Sequence, residues 1–216
     1  ISLRNLSFNG EIHNLRRKTI INSQLKNFDF DFHFGKSYIL SSKPTKGSWA
    51  ISWIIGGAVQ EQDGTVQLDN KDLSLQQRRH FSWLVRYSEI KRYGFWQQSV
   101  KAQIQSSLRT HYNSLTEEEL VSMFQLTPFN YDCKLSQMRD EVWSASIAIG
   151  FAMQKRVYCF PHLGYLRDDD FDLFRLYGDT WLGEIIARLT DTGALVLIPT
   201  HRLDYSCKYV DEIIHL

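Results

Sequence analysis

A chain of 216 residues, 43% hydrophobic and 23% charged, is long enough to bury one substantial core and too ordinary in composition for a disordered or fibrous protein. Its formal net charge of +1 provides no field of the kind that gathers nucleic acid, and no block of like charge breaks that balance. Three cysteines, Cys133, Cys159 and Cys207, without a C-x-x-C pair, argue against a disulfide framework or a zinc site and make a reducing cytoplasmic setting the expectation.

No apolar run reaches the length of about 18 residues that spans a bilayer, and the first residues lack the basic-then-apolar pattern of a secretion signal. Any association with a membrane is therefore expected to run through a partner. The chain opens on Ile1 rather than Met, so a trimmed start is expected.

Ile1 to Phe8 reads as a first strand. The stretch "NFDFDFHFG", Asn27 to Gly35, alternates aromatic and polar residues with the period of a half-buried strand and puts Phe28, Phe30, Phe32 and Phe34 on one face. "SYIL" is a short apolar run, a loop over 41–48 follows, and "SWAISWIIGG" reads as a helix that stops at the Gly56–Gly57 pair. Gly64 to Ser74 predicts a short strand closed by an Asn/Asp turn, and His80 to Glu89 another strand.

From Gln97 to Leu126 the spacing turns helical, and Thr116 before Glu117, Glu118 and Glu119 makes a capped N-terminus with an acidic first turn. Residues 88 to about 134 are expected to form a small helical insertion in a single domain spanning 1–216. Beyond it, "DEVWSASIAIGFAMQK" predicts a long helix, "RVYCF" a buried parallel strand, Phe171 to Gly193 a helix ending at that glycine, and "ALVLIPTH" a second buried strand. Strand and helix alternate, so the fold class is α/β with a mostly parallel sheet, an N-terminal antiparallel β region and a helical subdomain.

In this order the pieces resemble the nucleotide-binding domain of ATP-binding cassette (ABC) transporters over nearly the whole chain. "NFDFDFHFGKSYIL" is similar to the family's strand, glycine turn and strand leading into the P-loop, and "WAISWIIGG" to the helix behind that loop. "LVLIPTHRLDYSCKYVDEIIHL" resembles the strand, switch histidine and final strand that close the family's core, with His201 at the histidine.

The residues that would hold and cleave a nucleotide carry over poorly. Against G-x-x-x-x-G-K-[ST], Ser41 stands at the first glycine, Lys46 at the second, Gly47 at the lysine and Ser48 at the Ser/Thr that touches magnesium. Pro44 inside the loop also removes one N–H donor. The strand that should end in Asp-Glu is followed by Pro161 and His162, and a missing general base costs about 10²–10⁴-fold in rate, in a reaction that depends chiefly on charge stabilisation. The signature L-S-G-G-Q resembles "LSQMR", with Leu135 and Ser136 kept and the glycines gone. No Gln stands near Val85 to Tyr87, where the family's coupling glutamine falls, and Asp168 sits at the spacing of the family's dimer-contact aspartate.

Each of these residues has a plainer reading. Ser48 can be an N-cap, Lys43 and Lys46 solvated loop lysines, and His162 a loop residue. Asp168 to Asp170 can be a solvated charge run, and His201 a polar strand terminus. Trp49 and Trp53, four apart on a helix, suit core or interface packing, and Cys159 suits a small core hydrophobe.

The resemblance implies a degenerate ABC-type ATP-binding subunit, a pseudo-ATPase that is a structural and coupling partner within a transporter complex. Little or no ATPase activity of its own is expected, with no catalytic residue beyond a vestigial His201. Binding of ATP and magnesium at Lys46, Gly47 and Ser48 is expected to be weak or absent, and no further metal is expected. The implied partners are a membrane subunit and a second ATP-binding cassette, in a homo- or heterodimer at the inner face of the membrane. In the family the insertion and the segment near the missing Gln meet the membrane subunit, so "YSEIKRYGFW", with Phe95 and Trp96, is either a docking surface or a local aromatic core. Two other readings stay open: a true hydrolase in which Lys46 and His162 act through shifted geometry or with partner-supplied residues, and a scaffold with a P-loop fold and no transport role.

Overall fold

The computed structural model describes residues 1–14, 19–85, 98–111, 115–138, 142–161, 178–201, 203 and 210–216. In chain order, β1 (Ser2–Asn14), β2 (Thr19–Asp31) and β3 (Ser37–Ser41) precede α1 (Ser48–Ile55), and β4 (Asp63–Leu68), β5 (Lys71–Asp72), α2 (Leu75–Phe81) and β6 (Ser82–Leu84) follow. Next come α3 (Val100–Thr110), α4 (Glu117–Met123), α5 (Pro128–Asp132) and α6 (Val142–Ala152). The chain closes with β7 (Val157–Cys159), α7 (Gly178–Asp191), β8 (Leu195–Thr200) and β9 (Glu212–His215).

Two sheets result. One is antiparallel, in the order β2-β1-β4-β5, and the other runs β6-β7-β8-β3-β9 with every pair parallel. In the first, Asn5 and Asn27 adopt φ of 49° and 46°, and the β1–β2 register slips on either side of Leu6. Asparagine tolerates this left-handed conformation because its short polar side chain bonds locally, and such bulges bend the strand pair. Asp69 and Asn70, with φ of 50° and 61°, make the two-residue turn that pairs Leu68 with Lys71.

The parallel sheet is covered on both faces, as buried parallel strands require. Tyr38, Leu40, Val157, Cys159, Leu195 and Leu197 pack toward α1 and the antiparallel sheet, whereas Ile39, Tyr158, Val196 and Ile198 pack toward α6, α7 and the helices of 98–138. All eight residues of α1 are buried, as is every residue of α6 except Phe151, the pattern of helices that are apolar all round.

Three of the observed helices, α3, α4 and α5, fall in the stretch read as a helical insertion. They are tied together by Glu117, whose carboxylate accepts from the Tyr131 hydroxyl at 2.7 Å and from Gln105 Nε2 at 3.0 Å. The Tyr131 hydrogen bond is the main reason that the Glu117 carboxyl lies below its ordinary range. Thr116 caps α4 as expected, in a reciprocal pair with Glu119. Residues 86–97, where the insertion would begin, lie outside the described residues.

Two expectations fail. His80 to Glu89 does not begin as a strand: His80 and Phe81 end α2, and among the described residues of this stretch only Ser82–Leu84 are extended; residues 86–89 lie outside the described residues. The cause is the capping box of Ser74 and Gln77, which starts a helix in a polar run that has no alternation. The first strand does not stop at Phe8 either, since β1 and β2 each have 13 residues and pair as far as Asn14 with Thr19.

Candidate functional site

The 42–48 loop leaves the C-terminal end of β3 and enters α1. Ser42 N–H donates to the Thr200 carbonyl at 3.0 Å, so the loop begins bonded to the end of β8, one residue before His201. Residues Pro44–Lys46 form a 3₁₀ turn closed by Lys46 N–H to the Lys43 carbonyl at 2.8 Å. Lys43 and Lys46 are exposed.

Gly47 is the turning point. Its φ is 97°, a left-handed value, and it is the residue directly before the first turn of α1. A Cβ there would stand 2.8 Å from Leu25 Cδ1 and 3.0 Å from the Gln24 carbonyl oxygen, so β2 closes on the loop to a distance that only glycine tolerates. Ser48 is the first helical residue rather than the cap, and no side chain caps this helix.

The interior of the loop is filled by its own hydroxyls. Ser42 Oγ accepts the Ser48 N–H at 3.3 Å and donates to the Lys43 carbonyl at 2.9 Å. Ser48 is fully buried, and its hydroxyl lies 3.5 Å from the Ser42 carbonyl. The N–H of the first helical residue, one of the donors that bind anions at helix N-termini, is thus already bonded. The part played by Ser42 was not foreseen; its signal is the Ser41–Ser42 pair where a phosphate loop has glycine.

Behind the loop, Ser52 Oγ donates to the Phe160 carbonyl at 2.9 Å and anchors α1 to the end of β7. Phe160 is fully buried and its ring stacks on Trp143 at 5.7 Å between centroids and 12° between planes. Pro161 follows, half-buried. Burial pushes the Cys159 thiol up to about 12, so it is a core group and not a nucleophile. Trp49 and Trp53 are buried in an edge-on pair 5.8 Å apart, as core packing requires. Among the described residues no set of three His, Cys, Asp or Glu side chains comes together in a way that could hold a metal ion.

Of the residues singled out in the sequence, Lys46, Gly47, Ser48 and His201 are brought to this edge of the sheet, where His201 is exposed directly after β8. Leu135 and Ser136 lie apart from the loop in sequence, in a 3₁₀ turn ahead of α6, the leucine buried and the serine exposed. His162, Asp168, Phe95 and Trp96 lie outside the described residues. Among the described residues no helix is long and apolar enough to cross a membrane.

No family model matches the sequence, and no curated protein matches it. Solved structures do match along its whole length. A bacterial ABC transporter cassette solved as a dimer is 17% identical, with a TM-score of 0.69 over 100% of this chain and 93% of that one. The cbiO1 subunit of Clostridium perfringens, part of the ABC transporter complex cbiONQ, is 14% identical, with a TM-score of 0.67 over 99% of this chain and 83% of that one. A putative ABC transporter ATP-binding protein of Pyrococcus furiosus is 11% identical, with a TM-score of 0.65 over 100% and 96% of the two chains. From its first strand to its last, the chain has the fold of the ATP-binding cassettes of ABC transporters.

Proposed function

We propose that the chain is an ABC-type ATP-binding subunit whose phosphate loop has closed on itself, and that it serves as the structural and coupling half of a transporter complex. The observation that carries this reading is the bond from Ser48 N–H to Ser42 Oγ, together with the absence of a lysine at the start of α1. In the pattern G-x-x-x-x-G-K-[ST] the lysine directly follows the second glycine and opens the helix. Gly47, left-handed and directly before α1, is the glycine that suits that position. This moves each assignment one residue on from the sequence register: Ser42 at the first glycine, Ser48 at the lysine and Trp49 at the Ser/Thr.

Neither register supplies the missing chemistry. A buried hydroxyl at Ser48 has no charge to offer a β- or γ-phosphate, and the indole of Trp49 is no ligand for magnesium. Lys46 is exposed on the turn before Gly47, which disfavours a hydrolase built on it. ATP and magnesium are therefore held weakly or not at all. The solved dimer and the subunit of a transporter complex among the structural neighbours support pairing with a second cassette and a membrane subunit at the cytoplasmic face. Phe95 and Trp96 are our candidates for the docking contact, Leu135 and Ser136 for a vestigial signature, and Asp168 for a dimer contact.

The test has two arms. The isolated chain should hydrolyse ATP no faster than a blank, and turnover that Lys46→Ala abolishes would overturn the reading in favour of a hydrolase. A tagged chain purified from its native host should bring down a membrane subunit or a second cassette; recovery of neither would leave a scaffold without a transport role. Loss of the membrane subunit on Phe95→Ala with Trp96→Ala, at an unchanged melting temperature, would support the docking assignment.

A further inference from the structure

A groove of about 750 Å³ opens between α2, the 153–156 segment after α6, and the end of α3. Arg79, His80 and Phe81 precede β6, and Met153 to Arg156 precede β7, so this groove lies at the N-terminal ends of the parallel strands. The 42–48 loop lies at their C-terminal ends, on the opposite edge of the same sheet. Among the described residues the groove's lining carries Arg79, Lys155 and Arg156, the histidines His80 and His111, and no Asp or Glu. Three basic residues thus line one cleft in a chain whose whole net charge is +1, and a cleft lined by residues of one sign focuses its field.

Part of this charge has a structural duty. Lys155 Nζ donates to the carbonyls of Arg79 and His80 at 3.0 and 2.5 Å, which offsets the negative C-terminal end of α2. Arg79 Nε donates to the Gly57 carbonyl at 2.6 Å, and the Arg156 guanidinium sits 4.3 Å from the centre of the Phe34 ring. These contacts hold the two guanidiniums in place without using them up. Among the described residues, the two terminal nitrogens of Arg79 and the whole guanidinium of Arg156 have no hydrogen-bond acceptor. Fixed arginine forks with open donors are suited to the oxygens of a phosphate group, which they bind in pairs. The cavity also has the size of a small-ligand site.

We propose that this groove binds a phosphate-bearing anion, with Arg79 and Arg156 as its ligands, His80 and His111 at its rim and Phe81 with Met153 as its apolar floor. The same chemistry is offered by a phosphorylated small molecule and by a phospholipid headgroup. The site is independent of the 42–48 loop and of the reading given to it above.

Calorimetric titration of the full chain with sodium pyrophosphate, at ionic strength matched with sodium chloride, tests the first source. Flotation with vesicles of equal phosphatidylglycerol and phosphatidylcholine, against phosphatidylcholine alone, tests the second. Saturable binding in one arm, weakened at least about tenfold by Arg79→Gln with Arg156→Gln through loss of charge-assisted bonds, and unchanged by Lys43→Gln with Lys46→Gln, is the expected result and identifies the source. Absence of binding in both arms overturns the proposal, as does binding that survives the arginine changes or is lost with the loop lysines. If the arginine pair fails to fold by circular dichroism, His80→Glu, which keeps the Gly57 contact, must weaken binding to the same extent. Undiminished binding by that variant overturns the proposal.

Discussion

Ser42 and Ser48 bracket the loop at the C-terminal end of β3 and are each other's partners, the Ser42 hydroxyl accepting the Ser48 N–H at 3.3 Å. Ser42 is 9% exposed and Ser48 not at all, so water does not readily replace either group. Ser42→Ala is therefore expected to lower stability by about 1–2 kcal/mol, the cost of leaving a buried N–H without an acceptor. Urea denaturation reads this directly, and an unchanged midpoint would mean that the loop is not held by this bond.

Restoring the missing lysine distinguishes the two registers. Gly47→Lys forces a side chain onto a φ of 97° with its Cβ 2.8 Å from Leu25 Cδ1. It should destabilise the chain by at least about 1–3 kcal/mol without gain of nucleotide binding. Ser48→Lys places the ammonium at the opening of the helix and should tighten ATP binding about tenfold or more, as one charge-assisted contact allows. A gain that follows Gly47→Lys instead would return the register to the one read from sequence; no gain from either would mean that the loop is not a phosphate site in any register.

Arg78 is buried completely, yet it is charged. Its guanidinium lies 2.8 Å from Glu61 Oε2, donates to the Ile54 carbonyl at 2.9 Å, and reaches Gln60 Oε1 at 3.4 Å, so it ties the end of α1 to the 58–61 loop and α2. Removing one partner of a buried pair strands the other charge, which costs about 3–5 kcal/mol, whereas replacing both by apolar groups costs much less. Arg78→Met and Glu61→Leu should each be severely destabilising, and the double variant should be clearly more stable than the sum of the two losses implies. Strict additivity in denaturation experiments would refute this coupling.

The parts of this fold that could be read in the sequence are those in which local chemistry and global packing agree. The continuous apolar runs of β3, β7 and β8, the glycine stop after Ile55 and the Thr116 cap all announce themselves within a few residues. The long β1–β2 hairpin does not, because the buried face of its middle, with Phe8, Ile12 and Leu25, is interrupted by polar residues and by bulges at Asn5 and Asn27, whose left-handed backbone follows from pairing partners about 20 residues away. Ser74 with Gln77 was a readable capping box, but the apolar stretch after His80 masked it. At the site, the absence of lysine and carboxylates was legible residue by residue. What was not legible was the left-handed turn at Gly47, which depends on Leu25 and the Gln24 carbonyl lying against it. The joining of Ser42 to Ser48 likewise depends on the 3₁₀ turn between them.

The last strand is held by a carboxylate, and this gives the fold a predictable acid limit. Asp211 Oδ2 accepts from both the backbone N–H and the hydroxyl of Ser37, each at 2.7 Å. Asp211 N–H in return donates to the Ser37 carbonyl at 3.1 Å. The first of these bonds is the largest cause that holds the Asp211 carboxyl below its ordinary range; the hydroxyl bond and the charge of Lys36 act in the same sense, against a partial penalty from burial. A carboxyl with a depressed folded-state pKa binds its proton more readily in the unfolded chain. Its contribution is therefore fully present above the unfolded value of about 3.9 and is lost as the pH falls from there through the lower folded value. Asp211→Asn keeps the size but not the charge, so it should be less stable than the parent near neutrality, and the difference should shrink below pH about 4, since the parent alone loses this contribution. Thermal melts of both proteins from pH 7 down to pH 3 measure it. A stability gap that stays constant across that range would show that the β9 contact does not depend on the ionised carboxylate.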